Sequence, residues 1–199
     1  VCTFISVFGH GSTEIGEVLR IYQEAGVVKT HGVRSEIEAS HVAVSLRWVT
    51  GEKAAVITSI GPGALQAIAA SIVSSSNGIG VWYLFGDETT EDEGLNFQQI
   101  PKAEQNLFLQ LTQTIGQSYS LHTANAVGSA MRRGINCVDH PHRPGPFYLL
   151  MPMNQQCNMI KTFNIDELPT GAPPALGTTS NKETIKKIAK ILSEGSKVA

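Results

Sequence analysis

Apolar and polar positions along the chain switch between two periods. Thr3–Phe8 is a short, nearly continuous apolar run ended by Gly9-His10-Gly11, as expected of a buried strand. Thr13–Ala25 carries Ile15, Val18, Leu19 and Tyr22 at helical spacing and stops at Gly26. Val27–Lys29 reads as a short strand. Ser35 to Trp48 reads as a second helix, with Ser35 as N-cap, Glu38 at capping-box spacing, and Gly51 beyond its end. Ala54–Thr58 is an apolar strand, and Gly61-Pro62-Gly63 turns into a helix over Ala64–Ser74. Ile79–Phe85 is the next strand. Lys102–Thr114 and Thr123–Arg133 have helical character, and Phe147–Met151 is a last apolar strand after Pro144-Gly145-Pro146.

Continuous apolar strands separated by helices predict an α/β fold, a doubly wound and mostly parallel sheet with helices on both faces. In such folds ligands bind at the carboxyl ends of the strands, where the glycine-rich turns of this chain fall. The character changes after Met153. Residues 154–181 are polar and carry Pro169, Pro173 and Pro174, which reads as a linker. Residues 182–199 then begin with a short amphipathic helix, Ile185, Ile188, Ile191 and Leu192 on one side and a wet face of Lys182, Lys186, Lys187 and Lys190 on the other. A lone helix after a linker reads as the start of a further domain or as a docking arm. The expected organisation is a domain over 1–153, a linker over 154–181 and this terminal helix.

Composition narrows the class. With 199 residues, 42% hydrophobic and 16% charged, the chain is long enough for a core and too apolar for disorder. A net charge of −2 argues against nucleic acid or an anionic membrane as the main ligand. The three cysteines Cys2, Cys137 and Cys157 form no CxxC pair, so neither a disulfide framework nor a zinc knuckle is expected, and a reducing cytoplasm is the simplest compartment. No apolar run approaches the roughly 20 residues of a membrane span, and no signal peptide is expected.

Candidate chemistry centres on Val33-Arg34-Ser35-Glu36-Ile37-Glu38-Ala39. Glu36 falls in the first turn of a helix directly after a strand, where the helix N-terminus favours a carboxylate. On position alone it is an ordinary helix-start acid. His140 and His142 sit either side of Pro141 with no second cluster nearby, and read as a surface loop rather than a metal site. Cys137 reads as a small core residue. No GxSxG, GxGxxG or P-loop occurs.

The Val-Arg-x-Glu-x-x-Ala segment resembles the glutamate-bearing stretch of thiamine-diphosphate enzymes of the acetolactate-synthase type. Three more segments agree in order: Gly61-Pro62-Gly63-Ala64, Asn96-Phe97-Gln98-Gln99, and Arg143-Pro144-Gly145-Pro146 before a strand ending at Met151-Pro152. The resemblance covers residues 1–155 and implies a pyrimidine-binding (PYR) domain. It implies that Glu36 hydrogen-bonds N1′ of the aminopyrimidine and promotes the tautomer that deprotonates the thiazolium C2, burial helping by raising its pKa. It implies that the backbone of Gly61, Pro62 and Gly63 packs on the pyrimidine, with Gln66 on the following helix, and that Gln98 faces the active site. The Phe8-Gly9-His10-Gly11 turn is closer to trihydroxycyclohexanedione hydrolase, and by that likeness His10 would act as acid/base or oxyanion donor. The alternative for His10 is a turn histidine serving only its backbone.

The family's diphosphate motif, glycine-aspartate-glycine with a downstream asparagine, is not matched. Gly86-Asp87-Glu88 imitates its start, and Asp87–Glu93 reads as a solvated acidic loop. Gln117 stands where acetolactate synthase often has lysine, and Gln66 where asparagine is common. The resemblance therefore implies thiamine diphosphate and Mg2+ held jointly with a diphosphate-binding (PP) domain, from a partner chain or from the rest of a longer one. The implied reaction is C–C lysis, decarboxylation or carboligation on a 2-oxo acid or diketone. The rival expectation is a non-catalytic PYR-like subunit that stabilises or regulates a complete enzyme.

Overall fold

A computed structural model describes residues 1–91, 104, 106–160, 163–171, 174 and 181–195. Six parallel strands form one sheet: β1 (Thr3–Val7), β2 (Lys29–Gly32), β3 (Ala54–Ser59), β4 (Val81–Asp87), β5 (Gln117–Ser120) and β6 (Pro146–Pro152), in the order β2-β1-β3-β4-β6-β5. Helices α1 (Thr13–Glu24), α2 (Glu36–Thr50), α3 (Pro62–Asn77), α4 (Leu107–Gln113) and α5 (Val127–Val138) connect them. A short α6 (Met153–Gln156) follows β6, and α7 (Lys182–Glu194) lies near the end of the chain. The doubly wound α/β architecture expected from the apolar runs is the architecture found.

Period-2 alternation divides the core into two layers. Val56, Tyr83, Phe85, Tyr148 and Leu150 pack against Ala39, Ala43, Ala64 and Ala67 of α2 and α3 and Phe108 of α4. On the opposite face Ala55, Trp82, Phe147 and Leu149 meet Ala130, Cys137 and Val138 of α5. All six residues of β3 are buried, which is why that strand reads as unbroken apolar sequence. Ala39 and Ala43 of α2 and Ala64 and Ala67 of α3 are fully buried and let the two helices approach closely.

Local signals place most elements. Ser35 Oγ accepts from Glu38 N at the start of α2, and Glu38 Oε2 accepts from Arg34 N, one residue ahead of the usual box partner. Differences are local. The second strand begins at Lys29 and runs to Gly32 rather than covering Val27–Lys29. The segment at 123–133 starts as a 3-10 turn over Ala124–Ala126 before α5. Gln117–Ser120 is a strand that the pattern does not announce. After β6, Asn154, Gln155 and Gln156 all bond back onto the sheet domain, to Thr90, Ala124 and Gly11 respectively. No helix among the described residues is long and apolar enough to cross a membrane.

Candidate functional site

Parallel strands send all their carboxyl ends to one rim, and the predicted site residues among those described follow those ends. Glu36 is the first residue of α2, directly after β2, and is half-buried. Gly61 caps α3 just after β3, and Pro62 and Gly63 are the first residues of that helix. Gly61 has φ +84°, a conformation that L side chains rarely adopt, so glycine is required there. His10 follows β1 and begins the 3-10 turn His10–Ser12, its side chain exposed. Gln66 is exposed on the first turns of α3. Gln98 lies outside the described residues.

Glu36 and the 61–63 turn are brought together. A Cβ placed on Gly63 would lie 2.7 Å from Glu36 Oε1 and 2.6 Å from Thr58 Oγ1. Glycine thus leaves the room in which the carboxylate sits. Below it, Ser40 Oγ reaches the carbonyl oxygens of Glu36 (3.1 Å) and Ala67 (3.3 Å), tying the first turn of α2 to α3.

The end of β3 also holds the His10 turn. Gly11 N donates to Ser59 Oγ at 3.1 Å, and a Cβ on Gly9 would meet Ser59 Cβ at 2.8 Å. Successive strand residues point to opposite faces, so Thr58 faces the Glu36 side and Ser59 the His10 side of one strand end. Gly11 and Gly86 stack backbone on backbone, a Cβ on Gly86 falling 2.0 Å from Gly11 O. A cleft of about 390 Å3 between α1 and the ends of β1 and β2 is lined by Phe8, which immediately precedes the His10 turn, and by Val33, which lies shortly before Glu36.

The acidic segment that begins at the end of β4 departs from the sequence reading at its first two residues; Glu91 is exposed as expected of a solvated loop, and residues 92 and 93 lie outside the described residues. Asp87 and Glu88 are buried, 6% and 7% exposed, not solvated. Asp87 closes β4 opposite Pro152, so strand pairing carries it under the rim, where its Oδ1 accepts from Glu88 N. Burial pushes its carboxyl up to about 6, helped by the charge of Glu88 and opposed by that backbone bond. Cys137 is buried, as expected for a core residue, and its thiol approaches Pro146 O at 3.4 Å. Burial raises its pKa to about 11, which keeps it unreactive. Among the described residues no group of three or more His, Cys, Asp or Glu is placed to hold a metal ion.

Together these residues set a carboxylate beside the Cβ-free face of Gly63 and next to a turn that requires glycine at Gly61, an arrangement with room for a flat heteroaromatic ring. Of the residues expected from the sequence, Glu36 and the 61–63 turn lie together and His10 lies at a neighbouring strand end. Sequence reasoning missed Ser59, Ser40 and Gln156, whose partners are distant in sequence.

Residues 3–108 match the family model described as thiamine pyrophosphate enzyme, N-terminal TPP binding domain. A search of curated proteins returned no match. Among solved structures the chain is similar in fold to benzoylformate decarboxylase from Polynucleobacter necessarius, with TM-score 0.73 and 15% identity, covering 98% of this chain and 34% of that one. The chain thus spans about a third of that protein's length.

Proposed function

Because the chain belongs to the thiamine pyrophosphate enzymes, with their N-terminal TPP-binding domain, we propose that it supplies the pyrimidine side of a thiamine diphosphate site in a C–C lyase, decarboxylase or carboligase acting on a 2-oxo acid or diketone. Residues 1–153 are taken as the PYR domain, 154–181 as a linker and 182–199 as the start of the next part or a docking arm. The cofactor, when bound, supplies a nucleophilic carbon and an electron sink for breaking a bond beside a carbonyl.

The single observation that carries this reading is the pairing of Glu36 with the Cβ-free space over Gly63. In that space Glu36 holds and moves a proton at N1′ of the aminopyrimidine. Gly61, Pro62 and Gly63 offer backbone for the ring to pack on, with Gln66 beside them. His10 is free to donate to the substrate's carbonyl oxygen. Gln98 orients the substrate. The diphosphate and Mg2+ fall to a PP domain, in a partner subunit or in further sequence. Support for that division comes from the one-third coverage of the structural neighbour. The free thiols of Cys2, Cys137 and Cys157 fit a reducing cytoplasm.

Glu36→Gln in the complete enzyme tests the assignment. Turnover is expected to fall by about 10²- to 10⁴-fold, the usual range for a lost proton-transfer group, with the circular dichroism spectrum unchanged. Turnover at the wild-type rate would remove the catalytic role and leave a structural or regulatory subunit.

A further inference from the structure

We infer that Gln156, which is 145 positions from Gly11 in sequence, is the positioning residue for the turn that presents His10. The inference rests on the proposed role of His10. Gln156 Nε2 donates to Gly11 O at 2.8 Å and to Met151 O at 2.7 Å. Both hydrogens of its amide are used. Its Oε1 is buried without a partner among the described residues. Turning the amide over would set that oxygen against two carbonyl oxygens, so the bonds to Gly11 and Met151 fix its orientation.

The rest of the turn is held from other directions. Gly11 N donates to Ser59 Oγ, Gly9 N to Ser12 Oγ, and Ser12 N to Gly9 O, each at 3.1 Å. These contacts leave over the carbonyl of buried Gly11, and Gln156 takes it. Gly11 is thus pinned on its N–H side by the end of β3 and on its C=O side by α6, which hangs from the end of β6. Between the two glycines only the His10 side chain projects outward. A reacting group presented from a turn needs such a supporting shell, because small misplacements are costly.

The test uses the complete enzyme, this chain with its PP domain, loaded with thiamine diphosphate and Mg2+ and carrying 13Cε1-labelled histidine. The His10 resonance is identified by its loss in His10→Ala. In Gln156→Leu that resonance is expected to shift or split without substrate present. In Gln155→Ala, where a neighbouring amide is lost, it stays in place. On the carbonyl substrate of the wild-type complex, Gln156→Leu is expected to lower kcat about 10- to 100-fold with KM for thiamine diphosphate unchanged. In the His10→Ala background it should cost nothing more, since the two act as one unit. An unmoved His10 resonance, or an equal kcat loss in both backgrounds, overturns the inference. If Gln156→Leu does not assemble, isosteric Gln156→Glu, which has no amide hydrogens, gives the same readouts. His10→Ala at wild-type turnover overturns the role of His10 and the catalytic meaning of the clamp, while Glu36→Gln reports separately on the cofactor half of the reading.

Discussion

A methyl group on Gly63 would press on both Thr58 Oγ1 and Glu36 Oε1. Thr58 is buried on β3 and cannot withdraw, whereas half-buried Glu36 can swing outward. Gly63→Ala is therefore expected both to displace the carboxylate and to destabilise the fold. Overpacking of this kind costs about 1–3 kcal/mol, and a better helix former at the start of α3 offsets part of it. The check is a comparison in the complete enzyme: the urea midpoint should fall modestly, and turnover of the folded enzyme should fall well over tenfold. Asp87 gives a second outcome at this scale. Its folded pKa of about 6 lies above the unfolded value of 3.8. The folded state therefore binds the extra proton, and the stability this contributes is full below about pH 4 and is lost as pH rises through 6. A gap of roughly two units corresponds to about 3 kcal/mol. Asp87→Asn should flatten the pH dependence of the melting temperature between pH 4 and 6 and raise stability at pH 7. An unaltered slope would show that the carboxyl ionises without cost where it sits.

Contact between α5 and the sheet is decided by one missing side chain. A Cβ on Gly134 would fall 2.0 Å from Trp82 Cη2 and 2.9 Å from Phe147 Cδ1, and these rings are packed edge to face at 5.4 Å. Gly134→Ala would gain about 1 kcal/mol in helix propensity. The rings are rigid and nearly fully buried, so the clash outweighs that gain, and urea unfolding is expected to show a net loss of about 1–3 kcal/mol. Elements of this kind differ in how openly the sequence declares them. β3 and β6 are buried on both faces, so each is an apolar run. α2 carries its own start signal in Ser35 and Glu38. β5 is an edge strand, Gln117-Ser118-Tyr119-Ser120, with its first residue exposed, and nothing in its composition separates it from a loop. Asp87 looks like a surface acid because its place is set by β4–β6 pairing, a contact across 65 positions. Glu36 and the 61–63 turn were legible because each is defined by its own neighbours in sequence. Gln156 was not, because its partner is a carbonyl at the other end of the domain.

On the scale of the whole molecule the carboxyl-end rim is, in the proposed function, half of a site. Among the described residues it offers a carboxylate and a bare backbone surface but no metal-binding cluster. The chain alone is expected to show no Mg2+-dependent binding of thiamine diphosphate by calorimetry up to millimolar concentration. Adding the PP domain should produce it. Tight, Mg2+-dependent binding by this chain alone would overturn the division of labour proposed between the two domains.

Strand order also sets a timetable. The outer edge of β4 is satisfied by β6, from Val81 against Pro146 to Asp87 against Pro152. β5 is made earlier but pairs with β6, not with β4. At about 5–20 residues per second on the ribosome, the 59 or so positions separating Asp87 from Pro146 take roughly 3–12 s to translate. Throughout that interval a finished, strongly apolar strand waits with one side open. The nascent chain is thus most exposed to mispairing with its neighbours on the polysome after β4 has emerged, and that window closes only when the Pro-Phe-Tyr-Leu-Leu segment leaves the exit tunnel.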